Sequence, residues 1–107
     1  MLKITYTKIF KKYFKLYNKK YKSLKSDIKA LEKQLLENPT SGTYLGDNLY
    51  KIRLAIKSKN KGKSGGFRVV TYMVTEQNNN IEIRLIILYD KSDISNIKKE
   101  ELIKLIN

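Results

Sequence analysis

The sequence contains no cysteine and no histidine. It therefore cannot form disulfides, and it lacks the usual zinc ligands and the Ser–His and Cys–His nucleophile pairs. Its acidic residues are scattered along the chain without a paired-carboxylate motif, which argues against a two-metal site. Any catalysis must use lysine, arginine, tyrosine or an isolated carboxylate, and we expect neither a metal nor a cofactor.

Long apolar segments are also missing from the sequence. No hydrophobic run approaches the ~20 residues that a membrane helix needs, and the N-terminus shows no signal-peptide pattern. We therefore expect a soluble, cytoplasmic protein. A chain of 107 residues supports one hydrophobic core, so we expect a single domain over residues 1–107.

Positive charge is the abundant feature of this chain. Lysine and arginine number 23 against 10 aspartate and glutamate residues, which gives a net charge of +13. Such an excess favours polyanionic partners, either a nucleic acid or an acidic protein. An AT-rich coding sequence would also raise the lysine, asparagine and isoleucine content, so composition alone leaves the function open.

Two amphipathic helices are predicted in the first part of the chain, where apolar residues recur every three or four positions. The first helix follows Thr7, a candidate N-cap. The second carries its apolar face on Leu24, Ile28, Leu31 and Leu35. It ends at Asn38, because proline at position 39 disfavours a helical residue before it. A break at residues 18–23 predicts a helical hairpin, and residues 40–48 are predicted as a loop.

The rest of the chain is predicted to be mostly sheet. Strands are expected at residues 2–6, 49–57, 66–75 and 81–89. The run Leu85 to Leu88 is apolar on both parities, which is typical of a central strand covered on both faces. A short helix over residues 97–106, capped by Asn96, closes the chain. The expected fold class is α+β, with the helical hairpin packed on a mostly antiparallel four-stranded sheet. Core positions are predicted at Leu31, Leu35, Ile52, Leu54, Ile56, Leu85 and Ile87.

The strand predicted at residues 49–57 alternates strictly between apolar and cationic side chains. Successive side chains of a strand point to opposite faces, so Ile52 and Leu54 face one side while Lys51, Arg53 and Lys57 face the other. This alternation is also typical of the solvated face of an ordinary amphipathic strand.

A second strand returns beside the first after a loop rich in lysine and glycine at residues 58–66. Folding this hairpin brings Arg68 towards Lys51 and Arg53, which predicts a cluster of cations on rigid backbone. We expect Arg68 to lie near a sheet edge. In a purely structural interpretation, Arg68 would pair with Asp90 or Glu76.

Three segments of the chain are similar to a known family. They are Tyr50-Lys51-Ile52-Arg53-Leu54, Gly66-Phe67-Arg68-Val69 and Leu88-Tyr89-Asp90-Lys91-Ser92. Together with two helices followed by an antiparallel sheet, they resemble the RelE/ParE superfamily of toxins from type II toxin-antitoxin systems, and the RelE branch in particular. The resemblance covers essentially the whole chain.

The resemblance implies a metal-independent mRNA endonuclease, or mRNA interferase, that cuts codons in the ribosomal A site by attack of the 2′-hydroxyl on the phosphate. Its implied partners are the ribosome, the mRNA and an acidic cognate antitoxin. The catalytic candidates are Lys51, Arg53, Arg68, Tyr89 and Lys91. Arginine suits phosphate because its planar fork holds two oxygens and stays charged, so Arg68 and then Arg53 are assigned to it. Lys51 is the candidate base, since neighbouring cations favour the neutral form of an amine.

Two further assignments complete the predicted site. Four lysines at or in the loop are expected to grip RNA phosphate, namely Lys57, Lys59, Lys61 and Lys63. Well-known RelE toxins carry a tyrosine in the C-terminal segment, where this chain reads Ile94-Ser95-Asn96-Ile97. The general acid is therefore open between Tyr89, Tyr72 and Lys91.

Two other functions compete with the endonuclease. One is a gyrase poison like the ParE branch, and the other is a basic nucleic-acid-binding domain without catalysis. ParE-type toxins typically lack the basic catalytic set, so the presence of Lys51, Arg53 and Arg68 together argues against the first.

Overall fold

The computed structural model describes residues 1–59 and 66–106. Its helices and strands are β1 (Leu2–Tyr6), α1 (Lys8–Lys20), α2 (Leu24–Glu37), β2 (Thr43–Gly46), β3 (Leu49–Leu54), β4 (Phe67–Thr75), β5 (Ile81–Asp90) and α3 (Lys99–Lys104). Short 3₁₀ turns at Lys57–Lys59 and Gln77–Asn79 follow β3 and β4. The α+β class is confirmed. Within the described part of the chain, no helix is long and apolar enough to span a bilayer.

The sheet is five-stranded and mixed, with strand order β1-β5-β4-β3-β2. Strand β1 runs parallel to β5, and the other neighbouring strands are antiparallel. All four predicted strands form, but the predicted number of four is wrong. The segment Thr43–Gly46, which was predicted as loop, pairs with β3 as an edge strand. A tight turn at Asp47 and Asn48 joins them, with φ values of 52° and 64° that these two residue types tolerate.

Helix α1 begins at the predicted N-cap. The Thr7 hydroxyl accepts a hydrogen bond from the backbone N–H of Phe10 at 3.0 Å and donates one to the carbonyl of Ile86 at 2.8 Å. This single residue therefore caps the helix and fastens it to the central strand β5. At the far end of the hairpin, α2 ends at Glu37 with Asn38 as its C-cap, as predicted.

The last helix is shorter than predicted. Helix α3 covers only Lys99–Lys104, and Lys98 rather than Asn96 occupies its N-cap, without a side-chain capping bond. Ile97, predicted as the first helical residue, instead precedes the helix and packs against the buried residues on the α3 side of the sheet. Packing of this segment has overridden its helical periodicity.

Both faces of the sheet are covered. The α1–α2 hairpin packs on one face, where Phe10, Leu31 and Leu35 join Ile52 and Leu54 in one core. Helix α3 packs on the opposite face through Leu102, against a second cluster that includes Leu49, Val70, Ile86 and Ile87. The seven predicted core residues are all buried. Residues 85–88 are buried on both faces, which confirms β5 as a central strand.

Gly42 brings β2 unusually close to β3. Its φ of +96° lies in the region that favours glycine, and a Cβ at this position would collide with the carbonyl oxygen of Lys51. The absence of a side chain therefore lets the chain pass close to Lys51 and Ile52 of β3 as it enters β2.

Candidate active site

Strand register places three of the predicted catalytic side chains in a row. Arg53 on β3 lies opposite Arg68 on β4, which in turn lies opposite Tyr89 on β5. Directly opposed residues point to the same face of a sheet. Lys51 lies two residues from Arg53 on β3, which keeps it on that face. Lys91 directly follows the end of β5.

These side chains surround an open pocket of about 180 Å³, here called the cationic cleft. Its lining residues are Thr43, Lys51, Arg53, Arg68, Tyr89, Lys91 and Ser95. The structure thus brings together all five predicted catalytic residues. Among these described lining residues there are four cations and no carboxylate, so the cleft is electrostatically suited to an anionic ligand.

The pairing of Arg53 with Arg68 is electrostatically unfavourable. Like charges directly opposite each other on neighbouring strands destabilise a sheet. Arg53 is exposed, whereas Arg68 is only 6% exposed. Water therefore screens one guanidinium far better than the other, and an anion between the two would relieve their repulsion.

Arg68 does not lie near a sheet edge, and that expectation was wrong. Strand β4 lies between β3 and β5 in the middle of the sheet. One guanidinium nitrogen of Arg68 also donates to the carbonyl oxygen of Phe67 at 3.2 Å. The guanidinium is therefore held by a hydrogen bond to its own strand while it lines the cleft. Because Arg68 is also buried, its replacement is expected to affect the packing of the fold as well as the cleft.

Tyr89 forms a buried wall of the cleft. It is 2% exposed, and burial raises the pKa of its hydroxyl, although the nearby charge of Arg68 lowers it in part. The phenol therefore keeps its proton at neutral pH. Tyr72, the other tyrosine considered for the general acid, pairs with Leu49 and Arg84 and is not among the residues that line the cleft.

Two lining residues, Thr43 and Ser95, were not predicted from the sequence. Thr43 belongs to the edge strand β2, which was predicted as loop. Ser95 lies in the segment Ile94-Ser95-Asn96-Ile97, where the resemblance described above implied a tyrosine, and that correspondence could have identified it. Both present hydroxyl groups, which can hydrogen-bond to phosphate oxygens.

The predicted RNA-binding lysines have different surroundings. Lys57 is exposed in the 3₁₀ turn after β3. Lys59 instead forms an ion pair with Asp90 on the side of the sheet that carries the α1–α2 hairpin, with its Nζ 2.6 Å from Oδ2. Lys61 and Lys63 lie outside the described residues. Of the lysines whose positions are described, Lys57 alone keeps an amine available for RNA at this loop.

Asp90 anchors the end of β5 beneath the cleft. Its Oδ2 receives Lys59, and its Oδ1 accepts hydrogen bonds from the backbone and hydroxyl of Ser92 at 3.0 and 2.9 Å. Its backbone N–H donates to the hydroxyl of Tyr17 on α1 at 3.2 Å. Because side chains alternate along a strand, Asp90 faces the α1–α2 hairpin while Tyr89 faces the cleft. Lys91, which follows the strand, also lines the cleft.

This anchor predicts a loss of stability in acid. Burial raises the pKa of Asp90, but the hydrogen bonds from Lys59 and Ser92 more than offset it, so the net shift is downward. A pKa below the unfolded value of about 3.9 gives stability that is complete above that pH and is lost as pH falls through the folded pKa. Hydrogen bonds from Arg84 and Thr5 likewise lower the pKa of Glu82.

The measurement is the midpoint of thermal unfolding between pH 7 and pH 2. We expect the unfolding temperature to decrease once the pH is lowered beyond about 4. The decrease should be less steep in Asp90→Asn, which has no carboxylate to protonate at this position. Equal slopes for the two proteins would show that Asp90 does not contribute to the acid sensitivity.

The described residues were compared with the ligand sets that hold metal ions. Across residues 1–59 and 66–106, no group of three or more carboxylate, histidine or cysteine side chains is arranged to hold an ion. The cleft offers ammonium, guanidinium and hydroxyl groups, which suit a phosphate.

Comparison with known proteins assigns the family. No curated protein matches the chain. The sequence model that describes the RelE toxin of the RelE/RelB toxin-antitoxin system matches residues 2–106. This match spans every helix and strand described above. The chain therefore belongs to the RelE toxin family of toxin-antitoxin systems.

Proposed function

We propose that this toxin is a metal-independent endonuclease that cuts mRNA in the ribosomal A site. The observation that carries the proposal is the cationic cleft, in which Arg53 and Arg68 oppose each other beside Tyr89. Membership of the RelE family supports the same reaction. The cleft offers fixed cations to a phosphate and holds no carboxylate among its described lining residues.

The reaction needs no water and no metal. The 2′-hydroxyl of the mRNA loses its proton and its oxygen attacks the adjacent phosphorus, which gives a phosphorane with additional negative charge. The bond from phosphorus to the 5′-oxygen then breaks, and that oxygen takes up a proton. The products are a 2′,3′-cyclic phosphate and a 5′-hydroxyl.

The residues of the cleft supply each requirement of this reaction. We assign Lys51 as the base for the 2′-hydroxyl, and Arg53 and Arg68 to the non-bridging phosphate oxygens. Burial weakens Tyr89 as an acid by raising its pKa, so Lys91, which is exposed at the cleft, is assigned to protonate the leaving oxygen. Tyr89 then serves as a hydrogen-bond donor to the phosphate.

A translating extract programmed with a defined mRNA tests this function. We expect the purified protein to produce cuts within A-site codons, read by primer extension, and to leave the same mRNA intact when ribosomes are absent. Inhibition of DNA gyrase without mRNA cleavage would favour the ParE-like alternative, and RNA binding without cleavage would favour a non-catalytic domain.

The cellular counterpart is growth arrest. Expressed alone, the protein should stop growth, and co-expression of the antitoxin encoded beside it should restore growth. Harmless expression of the intact folded protein at high level would contradict the toxin activity proposed here.

A further inference from the structure

Lys91 and Ser95 are the two lining residues of the cationic cleft that lie outside the sheet. Strand β5 ends at Asp90, and residues 91–93 form a turn before the chain continues to α3. The exposed side chain of Lys91 therefore has no strand register to fix it. Its place beside the two arginines depends on the hydrogen bonds that hold this turn, because a catalytic group is only as well placed as the residues that support it.

The hydroxyl of Tyr17, in α1, bridges the two ends of this turn. It accepts a hydrogen bond from the backbone N–H of Asp90 at 3.2 Å and donates one to Oδ2 of Asp93 at 3.0 Å. The backbone of the turn closes at the same place, since the N–H groups of Asp93 and Ile94 each donate to the carbonyl oxygen of Asp90 at 3.0 Å. One phenol thus connects both ends of the segment that carries Lys91 to a helix far earlier in the chain.

Tyr17 is itself packed against the strand that carries Arg68. Its ring meets the ring of Phe67 edge-on, with the centroids 4.6 Å apart and the planes at 83°. Phe67 is fully buried, directly precedes Arg68 in β4 and pairs with Asp90. Edge-to-face packing stabilises such aromatic pairs beyond the burial of their area. The Tyr17 ring therefore links the turn of Lys91 to the strand position of Arg68.

The phenol of Tyr17 keeps its proton at neutral pH. Burial, above all, raises the pKa of Tyr17 to about 12, and the carboxylate of Asp93 adds to this increase. The hydrogen bond from the N–H of Asp90 offsets the increase only in part. The hydroxyl is therefore a donor to Asp93 under the conditions in which the ribosome works.

We propose that Tyr17 is a positioning residue of the cleft, whose hydroxyl fixes the turn at residues 90–93 and thereby places Lys91 beside the phosphate. This inference rests on the proposed function only in the role of Lys91 as the group that protonates the leaving oxygen. Tyr17 acts through the turn, because it does not line the cleft. The side chain of Asp90 also supports the turn through Lys59 and Ser92, so loss of the hydroxyl should loosen the turn without unfolding the protein.

Hydrogen exchange of the free protein tests the structural half of the proposal. Tyr17→Phe keeps the ring and its contact with Phe67 and removes only the hydroxyl. The backbone N–H groups of Asp93 and Ile94 should exchange roughly 10-fold faster than in the wild type, because the turn opens more often. The N–H groups of residues 85–88, in the buried part of β5, should keep their wild-type exchange rates. NMR spectroscopy resolves these groups individually, and thermal melts verify folding.

Single-turnover cleavage on ribosomes tests the functional half of the proposal. A displacement of about 1 Å near a reacting group can cost up to about 100-fold in rate, and the partial loosening expected here should lower the maximal rate of Tyr17→Phe roughly 10-fold. The toxin concentration at half-maximal rate should change by less than about twofold, since the arginine contacts with the phosphate remain. Asp93→Ala removes the other partner of the hydrogen bond and should have a similar effect. Combining the two substitutions should cost little more than either alone, because both break the same interaction.

Two conservative variants serve as matched controls. Asp93→Asn removes the same charge as Asp93→Ala but keeps an oxygen that accepts from Tyr17, so its maximal rate should stay within about threefold of the wild type. Tyr13→Phe removes a hydroxyl from the same helix, where the Tyr13 ring stacks on Tyr17 with the centroids 6.2 Å apart. The Tyr13 hydroxyl forms no hydrogen bond within residues 1–59 and 66–106, so its loss should leave both exchange and cleavage unchanged.

Three outcomes would overturn the proposal. The first is unchanged exchange at Asp93 and Ile94 in a folded Tyr17→Phe protein, and the second is wild-type cutting despite faster exchange. The third is an equal loss of rate in Asp93→Asn and Asp93→Ala, which would assign the effect to charge rather than to the hydrogen bond. Exchange is measured without ribosomes, so a wild-type protein that fails to cut mRNA would contradict the proposed function alone, and the exchange rates would still decide whether Tyr17 holds the turn.

Discussion

Replacing Arg68 by alanine is expected to lower the rate of mRNA cleavage by roughly 100-fold or more. The guanidinium is fixed in a central strand opposite Arg53 and beside Tyr89, where its fork can hold the non-bridging oxygens of the phosphorane. Loss of a contact made mainly in the transition state should lower the maximal rate more than it weakens binding. The assay is single-turnover cleavage on ribosomes programmed with one defined A-site codon.

The burial of Arg68 requires a second variant, because alanine leaves space in a packed region and should lower the melting temperature as well. Arg68→Lys keeps the charge and most of the side-chain volume but loses the planar fork. We expect it to stay folded and to cut at least about 10-fold more slowly than the wild type. Lys57→Ala, which removes an exposed cation outside the cleft, is the control and should cost less. Wild-type cutting by a folded Arg68→Lys protein would exclude bidentate binding of the phosphate.

Replacing Lys59 by methionine is expected to destabilise the fold by about 3 kcal/mol, the lower end of the range for breaking a buried ion pair. The Asp90 side chain is 4% exposed and that of Lys59 is 15% exposed, so the variant leaves a carboxylate buried without its cation. The Lys59 amine also lies 5.5 Å from the centre of the Phe67 ring, and this cation–π contact would be lost too. The melting temperature should fall by about 10 °C or more.

The double variant Lys59→Met/Asp90→Asn, compared with the two single variants, measures the interaction energy between the two side chains. Replacing both charges removes the unpaired carboxylate, so we expect the double variant to be more stable than Lys59→Met alone. Equilibrium denaturation in urea provides the free energies of unfolding. Additive losses in the two single variants would mean that the residues do not interact across the 2.6 Å contact.

Strand alternation explains why much of the site could be predicted from the sequence. The pattern of Lys51, Ile52, Arg53 and Leu54 assigns each side chain to a face without knowledge of the partner strand, and the burial of Ile52 and Leu54 confirms that assignment. The apolar run at residues 85–88 likewise predicted a strand covered on both faces, as β5 is. The grouping of Tyr89 and Lys91 with these cations came from the family resemblance, because their spacing alone carries no such information.

The features that were missed depend on contacts distant in sequence or on subtle turn chemistry. Strand β2 has only four residues and weak alternation, but Asp47 and Asn48 are a recognisable two-residue turn between it and β3. The ion pair of Lys59 with Asp90 joins residues 31 positions apart, and no local pattern marks it. The position of Arg68 in a central strand likewise followed from strand order, which the hairpin pattern alone did not give.

The parallel pairing of β1 with β5 determines when the sheet of the toxin can first form during translation. Leu2 pairs with Ile81, and β5 is the last strand to be translated, although β1 and β4 both hydrogen-bond to it. Contacts so distant in sequence form only after the intervening chain has been made, so the sheet closes only once β5 has been synthesised. Tyr89, Lys91 and Ser95 also emerge from the ribosome after the other residues that line the cleft. A nascent chain therefore has no assembled cleft until β5 and the residues that follow it have been made.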